Sequence, residues 1–68
     1  MRVGFLDLPN NWVYITYETG KKKNVANQDT LTQKEADEYK KMWEKPNNKI
    51  VKVELFTSDD KLIKTYTY

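Results

Sequence analysis

The chain has 68 residues, enough for one domain spanning 1–68, and folding at this size hides only about 60% of the surface of the unfolded chain, which leaves little room for a deep enclosed pocket. It contains neither cysteine nor histidine, so disulfides, thiolate nucleophiles, cysteine–zinc sites and the commonest general base are excluded. A net charge of +2 is too mild for a dedicated duplex-DNA binder and has the wrong sign for an acidic mimic of DNA.

Residues 1–8 alternate in part, with Val3 and Phe5 on one side of an expected strand. Pro9-Asn10-Asn11 signals a turn. Residues 12–18 are β-branched and aromatic, apart from the closing glutamate, a strand composition. A period of two puts Val13, Ile15 and Tyr17 on one face and Trp12, Tyr14, Thr16 and Glu18 on the other. Gly20 accepts positive φ at low cost and predicts a tight hairpin turn, with residues 21–26 as the return strand.

Asn27-Gln28-Asp29 reads as a loop. Thr32 and Glu35 then have the spacing of a capping box, with Leu31 and Ala36 placed as its hydrophobic staple. The helix is expected from residue 33 to Lys45, because Pro46 disfavours helical conformation before it. Glu35, Asp37 and Glu38 come early and Lys40, Lys41 and Lys45 late, which complements the helix dipole, and Asp37 and Lys41 are spaced to pair. Ala36, Tyr39 and Trp43 form a narrow inner stripe.

Pro46-Asn47-Asn48 is another turn. In residues 49–57, Val51, Val53 and Leu55 point one way and Lys52, Glu54 and Phe56 the other, the pattern of a strand with one wet face. Residues 58–61 turn the chain and 62–67 return, with Ile63, Thr65 and Thr67 on one face and Leu62, Lys64, Tyr66 and Tyr68 on the other. The expected fold is α+β: an antiparallel sheet of four to five strands with one helix on one face, in the order β-β-(β)-α-β-β. Core candidates are Val3, Phe5, Leu6, Leu8, Trp12, Val13, Ile15, Tyr17, Val25, Leu31, Ala36, Tyr39, Trp43, Val51, Val53, Leu55 and Ile63.

Catalysis has little to stand on, and no catalytic residue, metal or cofactor is expected. Ser58 is the only serine and sits in a turn without a base. The helix carboxylates alternate with lysines, as on a solvated face. Asp59-Asp60 lacks the further oxygen ligands of a calcium loop, and Gly4 and Gly20 make no phosphate loop. No apolar run is long enough to span a membrane. Arg2 is followed by no signal-peptide pattern, and the lack of cysteine fits a reducing compartment. The expectation is an intracellular, cytoplasmic protein.

The sharper feature is a set of large aromatics, Trp12, Tyr14, Phe56, Tyr66 and Tyr68, assigned to the sheet face away from Val13 and Val53. Lys52 and Lys64 lie among them, and Lys21, Lys22 and Lys23 add a basic hairpin tip. Exposed Trp and Tyr are enriched at protein-binding hot spots, so the first reading is a protein-binding face. Aromatics stacking bases while lysines track phosphates give a second reading, single-stranded nucleic-acid binding. A third is a homodimer formed through the edge strand that ends at Tyr68. The plain structural alternative is that these tyrosines are half-exposed strand formers and the lysines only guard an edge.

The layout of a hairpin, a helix opened by Leu31-Thr32-Gln33-Lys34-Glu35-Ala36 and a second hairpin, in a chain rich in lysine, asparagine and tyrosine, resembles small accessory proteins of phages and mobile elements of Gram-positive bacteria. Several of these are inhibitors of one host enzyme or defence complex, anti-CRISPR proteins among them. The resemblance implies a non-catalytic inhibitor with a bacterial protein target in the host cytoplasm, and it transfers no site residues.

Overall fold

The computed structural model describes residues 11–68. The first expected strand, with Val3, Phe5, Leu6 and Leu8, lies outside the described residues. Strands β1 (Trp12–Tyr17) and β2 (Lys22–Asn27) form one hairpin, and β3 (Ile50–Phe56) and β4 (Leu62–Thr67) a second, with helix α1 (Gln33–Trp43) between them. The sheet is antiparallel throughout in the order β2-β1-β3-β4. This is the expected α+β architecture, with the two aromatic and aliphatic strands at its centre. Among the described residues no helix is long and apolar enough to cross a membrane.

Both hairpins close by the same turn. The Gly20 N–H donates to the Tyr17 carbonyl and the Tyr17 N–H to the Lys21 carbonyl, each at 2.8 Å. In the second turn Asp60 donates to Thr57 at 3.0 Å and Thr57 to Lys61 at 2.8 Å. Each turn needs one residue with positive φ, and it falls on Gly20 (94°) and Asp60 (67°). Aspartate is one of the few side chains that tolerates this region. The Thr57 hydroxyl steadies the second turn by accepting from the N–H groups of Asp59 and Lys61.

The capping box is complete. The Glu35 N–H donates to the Thr32 hydroxyl at 3.2 Å, and the Thr32 N–H donates to Glu35 Oε1 at 2.9 Å. Leu31 and Ala36 are both buried beneath it, as the staple requires. The helix stops at Trp43, two residues before the expected end. Glu44 is already extended (φ −66°, ψ 140°). Its carboxylate accepts the Ile50 N–H at 3.0 Å and pairs with Lys40 at 2.9 Å, while Lys45 and Asn48 bridge the Pro46-Asn47 turn. These bonds draw the chain towards β3 before proline acts.

The core lies between α1 and one face of the sheet. Val13, Ile15 and Tyr17 of β1, Ile50, Val53 and Leu55 of β3, and Leu31 and Ala36 are buried, with Val25, Ala26, Tyr39, Trp43 and Tyr66 packed against them. Strict alternation fails at one extra residue in each of β2, β3 and β4: Val25, Val51 and Ile63. The bulge at Val51 brings Ile50 opposite Tyr17 and into the core, where alternation alone places Val51. Ile63, also expected inside, is 48% exposed on its bulge, and Trp12 turns to the opposite face. The Asn24 side chain repairs the first bulge by donating to the Val13 and Ala26 carbonyls.

Candidate functional site

Cross-strand partners share a face, so the register assigns every candidate residue to a side. Val13 faces Leu55 and Ile15 faces Val53 on the helix side. On the other side Trp12 faces Phe56, Tyr14 faces Glu54 and Thr16 faces Lys52. Trp12, Tyr14, Phe56 and Lys52 therefore lie together on the outer face, as expected. Lys22 joins them as the β2 partner of Thr16.

Tyr66, Lys64 and Tyr68 do not. Val53 pairs with Tyr66 and Leu55 with Lys64, which places both on the helix side. The Tyr66 hydroxyl donates to the Leu31 carbonyl at 2.9 Å, and Lys64 Nζ lies 5.8 Å from the Tyr66 ring centroid. The Tyr68 hydroxyl donates to Asp37 on α1 at 2.6 Å. The sequence carried a weak sign of this: β4 alternates threonine with lysine and tyrosine, so apolarity does not choose its inner face. The basic triplet is divided as well. Lys23 lies on the helix side with Nζ 4.9 Å from the Trp43 ring centroid, while Lys21 supplies its carbonyl to the turn.

Four of the five tyrosines thus tie the helix or its leading loop to the rest of the molecule. Tyr17 donates to the Trp43 carbonyl, Tyr66 to Leu31, Tyr68 to Asp37 and Tyr39 to the Gln28 side chain. Burial, then the bond to Asp37, pushes the Tyr68 phenol up to about 12. Burial, then the nearby charges of Glu35 and Glu38, raises Tyr39. In return the hydrogen bonds from Tyr68 and Gln33 hold Asp37 below its ordinary value. The bonds from Lys40 and the Ile50 N–H do the same for Glu44. Asp37 takes these partners in place of the expected pairing with Lys41.

The fifth tyrosine, Tyr14, faces outward. Its ring meets Phe56 edge to face, with centroids 5.7 Å apart and planes at 87°, a favoured geometry for aromatic pairs. Trp12 beside them is 37% exposed, and Leu62, the β4 partner of Phe56, is 53% exposed. A depression of about 300 Å³ is lined by Tyr14, Lys22, Phe56 and Asp60. Among the described residues no element covers this face, since α1 packs on the other.

One residue of this face escaped sequence reasoning. Glu54, placed by alternation on a wet surface, is only 5% exposed. It sits at mid-sheet between Tyr14 on β1 and Thr65 on β4, with Lys22 Nζ at 3.8 Å and Lys52 Nζ at 3.9 Å from its two oxygens. The available signal was a single carboxylate in a central strand otherwise flanked by aromatics and lysines. Comparison with protein-family models, curated proteins and solved structures finds no match.

Proposed function

We propose that this chain is a non-catalytic protein-binding module and that the outer sheet face is its contact surface. The observation that carries the reading is the patch formed by Trp12, Tyr14 and Phe56 on the two central strands, with Trp12 exposed and no described element over it. Trp and Tyr on a rigid sheet supply large contact area at little conformational cost, which is why they dominate binding hot spots. The resemblance in layout to small phage accessory proteins supports a bacterial host or defence protein as the target, bound by occlusion in the host cytoplasm. Single-stranded nucleic acid is the weaker reading, because Lys23 and Lys64 lie on the opposite side from Tyr14 and Phe56.

The test is capture of partners from a Gram-positive lysate after nuclease treatment, with the wild type and a Trp12→Ala/Tyr14→Ala double variant. A protein retained by the wild type and lost by a double variant of unchanged melting temperature supports the reading. Equal retention by both overturns the contact surface. Retention abolished by nuclease, with a log–log salt slope near the roughly −0.7 per phosphate of single strands, transfers the function to nucleic acid.

A further inference from the structure

The least expected group on the outer face is Glu54. Its side chain is 7% exposed, and Oε1 is buried without a hydrogen-bond partner. A buried carboxylate is costly unless it is both paired and hydrogen-bonded. Lys22 and Lys52 supply charge at 3.8 and 3.9 Å, beyond hydrogen-bonding distance. The Thr16 hydroxyl, on the same face, is also buried without a partner.

On the same face, Tyr14 is the cross-strand partner of Glu54, and Phe56 follows two residues along β3. The Lys22 ammonium lies where they converge with the carboxylate, 4.8 Å from the Phe56 centroid, 5.8 Å from that of Tyr14 and 3.8 Å from Glu54 Oε1. Ring faces attract cations, so the carboxylate and both rings select the same sign of charge. Asp60 at the wall of the depression adds a second negative group.

We infer that Tyr14, Phe56 and Glu54 form a receptor for an arginine side chain of a protein partner, and that Lys22 fills it in the free protein. The inference rests on the protein-binding reading above and names the partner's chemistry. A guanidinium is planar, donates two parallel hydrogen bonds to a carboxylate and stacks on aromatic rings. It supplies the bonds that Glu54 lacks, which an ammonium at 3.8 Å does not. The exchange is easy: the Lys22 side chain is 49% exposed on an outer strand, and an ammonium is more strongly hydrated than a guanidinium. With Lys22 in water, Glu54 and Asp60 outweigh Lys52 and the cage is net negative.

N-acetyl-argininamide is titrated into the wild type, Lys22→Ala and Glu54→Gln, with amide shifts followed by NMR and N-acetyl-citrullinamide as the uncharged control of the same shape. The expected result is saturable shifts at Tyr14, Thr16, Glu54 and Phe56 with arginine only. Lys22→Ala should bind about tenfold more tightly, the factor set by how often Lys22 already fills the cage, and Glu54→Gln should lose binding. Equal response to citrulline overturns the proposal, as does no arginine response or weaker binding by Lys22→Ala. Should Glu54→Gln fail to fold, the arginine–citrulline contrast on the wild type still decides. The two failures are distinguishable: arginine saturation with no captured partner removes the protein-binding reading, and with it the protein partner, leaving only an arginine site, whereas a partner held equally by wild type and Glu54→Gln, without arginine binding, removes the cage alone.

Discussion

The Tyr17 hydroxyl donates to the Trp43 carbonyl at 3.0 Å, joining the end of β1 to the last turn of α1. That carbonyl is among those a helix leaves without an internal partner at its C-terminus, so a sheet residue completes the helix. Tyr17→Phe keeps the ring in the core and removes only this bond. Stability should fall by about 1 kcal/mol, and by up to about 3 if the carbonyl stays buried and unpaired. A lower denaturant midpoint with unchanged slope would show it.

Tyr66→Phe makes the matching prediction at the other end of the helix, where the hydroxyl meets the Leu31 carbonyl. It should cost about 1 kcal/mol and leave partner binding intact. Tyr14→Ala should do the reverse, weakening binding with little change in melting temperature. A Tyr66→Phe variant that keeps its stability and loses its partner would return Tyr66 to the contact surface.

Stability should depend on pH at both extremes through Asp37 and Tyr68. Asp37 is held below its ordinary 3.8, so its contribution is present above that value and disappears as pH falls through the lowered one. Tyr68 is pushed from 10.0 up to about 12, so its contribution is complete below pH 10 and is lost as pH rises towards 12. Thermal melts of wild type and Tyr68→Phe across both ranges should show the variant less sensitive at each end. Parallel curves would remove the Asp37–Tyr68 bond from the account.

The bulge in β3 is tested by neighbouring truncations. Ile50 is 1% exposed and Val51 half-buried. Ile50→Ala should cost about 2–5 kcal/mol, as for other buried aliphatics, and Val51→Ala clearly less. The opposite order, read from denaturant midpoints, would restore simple alternation to β3.

The two turns give a complementary pair. Asp60 has φ 67°, and Asp60→Gly should raise stability by up to about 1 kcal/mol because glycine enters this region freely. A Cβ at Gly20 meets no atom within 4 Å, so Gly20→Ala should lose a similar amount through its φ of 94° alone. Equal melting temperatures for both variants and the wild type would show that the turns carry no such strain.

What was legible in the sequence was whatever repeats locally. Thr32, Glu35, Leu31 and Ala36 announce the helix start by spacing, and Val13, Ile15 and Tyr17 announce their face by alternation. The reversed strand faces share one cause. Inserting a residue reverses which side every later residue faces, and no local pattern marks Val51 or Ile63 as the extra one. Tyr66 and Lys64 went to the wrong face for this reason, since β4 has no apolar side to orient it. The burial of Glu54 has no local signature in β3, because two of its neighbours, Tyr14 and Lys22, come from β1 and β2.

Val25 and Ile63 have a consequence for how the molecule behaves in a crowd. Both extra residues fall on β2 and β4, the outer strands of the sheet among the described residues. An inserted residue bends its strand and sharpens the local twist, which spoils the flat row of amides on which a foreign strand would grow. Asn24 also keeps the bend at Val25 bonded by holding the Val13 and Ala26 carbonyls. Among the described residues the sheet is open at both ends, yet its bent outer strands are poorly shaped to seed fibrils when the protein is crowded.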